Sequence, residues 1–225
     1  VTIEQFVKIV FVQSALSALI ALVCFYRYRD RDLSIKLIGF TFLFGSVINL
    51  TPLMLVQFKV SGFNNLPPII FIIYYFTLVT LLYREQFQSK RMYWIILIGV
   101  FILAVIINSI FFQKRDINSF SYIILSVTIL IYTIAFFYKL MEELPTKHIH
   151  QLPMFWINSG LLFYHAGSFF LFAFTDYIVR VLKNDLMIYW TFHNILNILE
   201  HSIILLGIYY DVKHLPPRTN KHIVS

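Results

Sequence analysis

Apolar residues run along this chain in seven long stretches, each bounded by a short polar segment. Their extents, near 5–26, 35–58, 69–84, 92–113, 121–141, 154–177 and 188–210, predict seven helices. Most reach the roughly 20 residues that cross about 30 Å of hydrocarbon. The runs are continuous, as in Ile95–Ile107, whereas the strands of a membrane β-barrel alternate in polarity over roughly 10 residues. The third stretch is the shortest. Its start is marked by Pro67-Pro68, where a first helical turn does not need the missing N–H. The connections 27–34, 59–68, 85–91, 114–120, 142–153 and 178–187 are too short for a soluble domain. The fold class is therefore all-α: a polytopic membrane protein with seven transmembrane helices in one domain over 1–225.

Composition supports this class. Hydrophobic residues make up 59% of the chain and charged residues 13%, against about 45–50% and about 25% in soluble domains. The single cysteine, Cys24, excludes an intrachain disulfide framework and an all-cysteine metal cage. In the first stretch the charged flank Arg27-Tyr28-Arg29 follows the apolar run instead of preceding it, so a mature helix is expected there and not a signal peptide. A net charge of +7 suggests nucleic acid, but its distribution points to membrane orientation. With the N-terminus outside, twelve of the 18 lysines and arginines fall at inner segments and six at outer ones. The excess belongs on the cytoplasmic side, and an odd number of spans puts the C-terminus there too. The expected partner is the lipid bilayer, with no nucleic acid.

Candidate chemistry concentrates in the sixth and seventh stretches. Ionisable groups at hydrocarbon depth are costly and are functional-site hypotheses by default. With His193 as the zero of a helical wheel at ~100° per residue, Glu200 falls near ~−20°, Asn197 near ~40°, His201 near ~80° and Asn194 near ~100°. So narrow a stripe must face the bundle interior or a wet cavity. On the sixth stretch Asn158 and His165 are seven residues apart and share a face, with Ser168 near it. His165 and Glu200 differ in depth by only ~3 Å, so a direct pair is expected if the two helices are neighbours. The candidate ligand or proton site comprises His165, Glu200, His201, His193, Asn158 and Asn197. Interhelical hydrogen bonding is the simpler role for the asparagines and Ser168.

Metal and haem were weighed on residue type. A three-ligand zinc site would need His165, Glu200 and His201 with water as the fourth ligand. His193 and His201 lie ~12 Å apart on one helix and do not share an ion. Two histidines on different helices are also acceptable haem ligands. His148-x-His150 is a second, weaker metal candidate. No lysine occupies the seventh stretch, which argues against retinal on a Schiff base. The chain carries no nucleotide-binding glycine loop, no Gly-x-Ser-x-Gly and no His-Glu-x-x-His.

Other polar positions are sparser. Ser46, Asn49, Thr51 and Pro52 interrupt the second stretch and predict a kink. Tyr74, Tyr75, Thr77, Thr80, Ser126, Thr128 and Tyr132 are positioned to line an interior or to bond between helices. Tyr93, Trp94, Tyr122, Trp156, Tyr189 and Trp190 sit near stretch ends, as interfacial belts do.

The segment Leu152-Pro153-x-Phe155-Trp156-Ile157-Asn158-Ser159-Gly160, then Leu162-x-Tyr164, Gly167 and Phe170-Leu171-Phe172, carries a resemblance. Trp190, His193, Ile195-Leu196-Asn197 and Gly207 continue it. Over residues 145–210 the chain resembles a seven-helix membrane family of Bacteroidetes-type bacteria, one without a settled activity. It is similar to membrane sensor regions linked to histidine kinases. The resemblance implies a seven-helix fold in the bacterial cytoplasmic (inner) membrane. His165 departs from the apolar residue usual in that family.

The expected function is sensory or signal-coupling, with a polar centre between the sixth and seventh helices that binds a small or lipophilic ligand or responds to protonation. The stretch after Asp211, Val212–Ser225, is too short for an output domain, so a separate partner protein or a removed C-terminal extension is expected to carry the signal. The alternatives are an intramembrane metal-dependent enzyme, a proton-coupled transport component, and a structural subunit of a larger complex.

Overall fold

A computed structural model describes the backbone of residues 2–57, 66–113, 118–143, 148–175, 177–178 and 186–215, and their side chains except those of 49–57, 66–67 and 186–187. Among the described residues the protein is helical and contains no strand. Its seven α-helices are α1 (Ile3–Phe25), α2 (Leu33–Gln57), α3 (Leu66–Phe87), α4 (Arg91–Ile107), α5 (Ser119–Glu143), α6 (Pro153–Ala173) and α7 (Leu186–Lys213). Each coincides with one of the apolar stretches. The third is longer than its apolar content suggested, because Leu66–Pro68 form its first turn and Glu85–Phe87 extend its polar end. The polar break at Asn49, Thr51 and Pro52, and the kink read from it, concern side chains outside the described residues.

Local chemistry sets the helix ends. Thr2 caps α1 reciprocally: its hydroxyl accepts from the Gln5 N–H, and its own N–H donates to the Gln5 side chain. Arg27, with φ of 55°, turns the chain out of α1 in the left-handed region. Pro153 opens α6 at its first position. A π-helical turn, Asn108–Phe112, closes the far end of α4. There the buried Asn108 amide donates to Asn118, Ser121 and Gln113 and ties α4 to the start of α5.

Six helices make a closed ring. Neighbours pack in the order α1, α2, α3, α5, α6, α7 and back to α1. α4 packs on α3 from outside that ring. Its sequence explains the position: it has the highest mean hydropathy of the spans, 2.9, and nearly all its side chains can face acyl chains. Among the described residues five helices are long and apolar enough to cross a membrane. α6 falls short because Asn158, Ser159, His165 and Ser168 dilute it, and three of those four are buried inward.

Interhelical contacts assign the elements to two ends. The C-terminal ends of α1, α3, α5 and α7 and the start of α2 lie together. Arg31, after α1, bonds Asp211 near the end of α7. Gln86 of α3 donates to Ser34 at the start of α2 at 2.7 Å, and Lys139 of α5 donates to the Gln86 carbonyl at 2.7 Å. Arg31 is completely buried in its side chain and also donates to the last carbonyls of α1, Val23 at 2.9 Å and Tyr26 at 3.0 Å. Removal from water pulls its guanidinium pKa below the usual arginine value, while nearby Cys24 acts in the opposite sense.

The belt expectation holds only in part. Tyr93 is 69% exposed, but Tyr189 is buried, packs on Phe172 and shares a 2.9 Å hydrogen bond with Thr175. Its position near a helix end was visible in the sequence, whereas the face it occupies depends on α6.

Glycines set the approach of α6 and α7. A Cβ at Gly207 would lie 2.6 Å from the Pro153 carbonyl oxygen, and one at Gly160 would lie 2.8 Å from Ile204 and 3.1 Å from the Glu200 carbonyl. Without a hydrophobic driving force in lipid, such small-residue contacts carry helix association. Gly99 of α4 meets nothing within 4 Å. Gly207→Ala is expected to destabilise the detergent-solubilised protein by about 1–3 kcal/mol through overpacking. Gly99→Ala should be neutral or slightly stabilising. Thermal unfolding of both variants checks this contrast.

Candidate functional site

The seventh helix turns its polar stripe inward, as its periodicity predicted. Asn194, Asn197, Glu200 and His201 are buried, with Glu200 2% and His201 3% exposed. Gly160 lets α6 lie close against the backbone at Glu200, which holds this part of α7 in place. The stripe forms one wall of a cavity of about 340 Å³. The opposite walls come from α1, α2 and α3, with single turns of α5 and α6. The cavity reaches the far bundle end at exposed Pro68 and descends to Glu200 and His201. The polar centre thus lies inside the whole ring, not between α6 and α7 as expected. α6 and α7 are pulled too close by their glycines to leave a gap.

The expected direct pair of His165 and Glu200 is not formed. His165 is 1% exposed and bonds the Tyr75 hydroxyl at 3.0 Å through Nε2. Its Nδ1 meets the Ser126 hydroxyl at 3.4 Å. α3 and α5 supply its partners, which the sequence could not order. Tyr75 stands between the two groups, and its hydroxyl also interacts with the Glu200 carboxyl. His165 therefore supports the wall from behind. Asn158 lies deeper still: Tyr83 donates to its Oδ1 at 2.5 Å, and its Nδ2 donates to the Thr133 carbonyl at 3.1 Å. That is the interhelical role left open for it.

His193 lines the upper cavity, with Nε2 3.4 Å from the Tyr164 hydroxyl and the rings of Phe172 and Trp190 beside it. Asn197 spends its amide N–H on the His193 carbonyl at 2.9 Å. His201 packs edge-on against Phe42, and its Nδ1 lies 3.8 Å from Glu200 Oε2, beyond hydrogen-bond distance. Among the described residues four buried atoms of this wall have no hydrogen-bond partner: His193 Nδ1, Glu200 Oε1 and both ring nitrogens of His201. Each buried polar group left so costs about 1–3 kcal/mol.

The zinc set proposed from the sequence does not assemble. Among the described residues no three of His, Cys, Asp and Glu are gathered as metal ligands. His165 has turned to Tyr75 and Ser126, away from Glu200 and His201. The His148 and His150 rings lie 5.7 Å apart in a short turn, without a third ligand there among the described residues.

Sequence reasoning missed Gln13 and Ser17 of α1 and Thr41 of α2, all buried and all on the cavity wall. Gln13 and Ser17 are one helical turn apart in an apolar run, and that i, i+4 spacing was the available signal. Of the possible interior residues on α3 and α5, Tyr75 does line the cavity. Thr77 and Thr128 instead donate to backbone carbonyls of their own helices.

The fold and site define a helical bundle suited to a membrane, with a buried polar cavity. No protein family, characterised protein or solved structure matches this chain.

Tyr75→Phe should leave the His165 Nε2 without its partner and cost about 1–3 kcal/mol. Tyr74→Phe, whose half-buried neighbour hydroxyl bonds only the Phe40 carbonyl at 3.2 Å, should cost less. Denaturation midpoints of the two variants give the comparison.

Proposed function

We propose that this chain is a seven-span sensory or signal-coupling protein of a bacterial cytoplasmic membrane, with its N-terminus outside and its C-terminus in the cytoplasm. Its stimulus is a small or lipophilic ligand taken up in the central cavity. The observation that carries the reading is the set of unpartnered polar atoms on the α7 wall of a 340 Å³ cavity. Cavities of this size suit small ligands, and a few convergent polar groups on an apolar wall give orientation and specificity. Polar groups kept at such depth without protein partners are costly to a structural scaffold.

Charge supports the orientation. Arg27, Arg29, Arg31, Lys36, Arg84, Lys90, Arg91, Lys139 and Lys213 all belong to the end where α1, α3, α5 and α7 finish. Lys8 belongs to the other end. The remaining charges used in the topology count, Lys59, Lys114, Arg115, Lys147, Arg180, Lys183, Arg218 and Lys221, lie outside the described residues.

The route of coupling follows α7. Asp211 is eleven residues after Glu200, on the same face at ~100° per residue and ~16 Å further along. A rigid shift of α7 at the cavity therefore moves Asp211 against Arg31, which is anchored to the end of α1. A ligand drives such a shift only by binding two bundle states unequally. A separate signalling protein at the cytoplasmic face receives the change. The resemblance over residues 145–210 to sensor regions linked to histidine kinases agrees with this output.

A thermal-shift screen of small lipophilic compounds on the protein in nanodiscs tests the reading. A ligand should raise the melting temperature, lose its effect in His201→Ala, and keep it in the α7 variant Ser202→Ala, whose exposed hydroxyl bonds its own helix. Hydrogen exchange should change at 27–32 and at the end of α7 when that ligand binds. A ligand insensitive to His201→Ala would overturn the site.

A further inference from the structure

The cavity wall selects a charge type. We infer that its ligand is a lipophilic amine, with its ammonium group against Glu200 and its apolar body directed toward Phe71, Trp190 and the Pro68 end. This rests on the reading of the cavity as a ligand site.

Glu200 is the one acidic residue on the described wall, and neither lysine nor arginine lines it. Its Oε1 is buried and accepts no hydrogen bond. Among the described residues the only ion-pair neighbour of its other oxygen is the His201 ring, at 3.8 Å, and the Tyr75 hydroxyl, a neutral group, is the other polar neighbour of the carboxyl. A carboxylate away from water is tolerated when paired with a cation, and the wall does not supply a permanent one. An anionic ligand would meet Glu200 with nothing to offset the repulsion. A neutral alcohol offers one donor and leaves the charge unbalanced.

An ammonium group supplies both missing quantities. It brings the compensating charge, and its N–H donors match the acceptors at this level of the wall: the Glu200 carboxyl and a ring nitrogen of the adjacent His201. Away from Glu200 the wall mixes aromatic and hydrocarbon side chains with the neutral polar Gln13, Ser17 and Thr41. Phe42, Phe71, Tyr75, Tyr122, Tyr164 and Trp190 ring the space, and the negative faces of such rings attract organic cations. Hydrocarbon side chains of Val10, Ile48 and Leu125 leave room only for an apolar remainder.

Two probes of one shape separate charge from fit: 4-phenylbutylamine and 4-phenylbutan-1-ol, titrated calorimetrically into the full chain in nanodiscs. The amine should bind at least tenfold more tightly than the alcohol. In Glu200→Gln the ratio should fall to near one, with the affinity for the alcohol retained. Gly45→Leu, which places a side chain in the cavity beside Ser17 and Phe71, should abolish binding of both. Alcohol binding equal to or tighter than the amine, with Gly45→Leu still blocking it, would overturn the amine and leave the ligand site standing. Failure of both probes to bind at millimolar concentration would overturn both readings. The wild-type ratio decides the matter even where Glu200→Gln does not fold.

Discussion

Hydrocarbon supplies no hydrogen bonds, so each polar group carried into the membrane by these helices has to find a partner inside the bundle. Most of them do. Tyr83 and Thr133 hold Asn158, Tyr75 and Ser126 hold His165, and serine and threonine hydroxyls elsewhere return to carbonyls of their own helices. Among the described residues eight buried side-chain atoms lack a partner: those of Ser14, Thr80, Tyr132 and Ser168 lie on four different helices, whereas the four of Glu200, His201 and His193 form a group. They share one helix, one face and one cavity. The general constraint thus gives the exceptions their meaning.

The close pairing of α6 and α7 makes this arrangement possible. Gly160, Gly167 and Gly207 remove side chains where the two helices meet, and Leu196, Ile204 and Pro153 occupy that space. The pair becomes a rigid slab. Its polar stripe then has one direction left, toward α1, α2 and α3. The same slab carries Asp211 at its other end, where the buried Arg31 fixes it to the α1–α2 connection. The cavity and the Arg31–Asp211 contact are joined by one helix, so a movement at one is felt at the other without a special pathway.

Much of the site was legible because a helix repeats. The spacing of His193, Asn197, Glu200 and His201 placed them on a common face before any neighbour was known. The face of α6 that carries Asn158 and His165 was legible in the same way, and both are buried. The partner of His165 was not, since a shared face does not say which helix stands opposite. Gln13, Ser17 and Thr41 were missed; Thr41 donates to the Leu37 carbonyl of its own helix, but Ser17 donates across to the Phe42 carbonyl of α2, a partner its own segment does not reveal. The zinc triad weighed as an alternative does not assemble among the described residues, because ligand geometry depends on rotamers and crossing angles.

From the sequence alone came the helices, their lengths, their apolar character and the inward stripe of α7. These follow from hydropathy and the 3.6-residue period, which are properties of a single segment. Tertiary structure decided the order of the ring, the exclusion of α4 from it, the insertion of Tyr75 between His165 and Glu200, and the place of the cavity. Those depend on which surfaces meet and how closely. That choice is made by glycines and side-chain shapes on helices far apart in the chain, and no single segment encodes it.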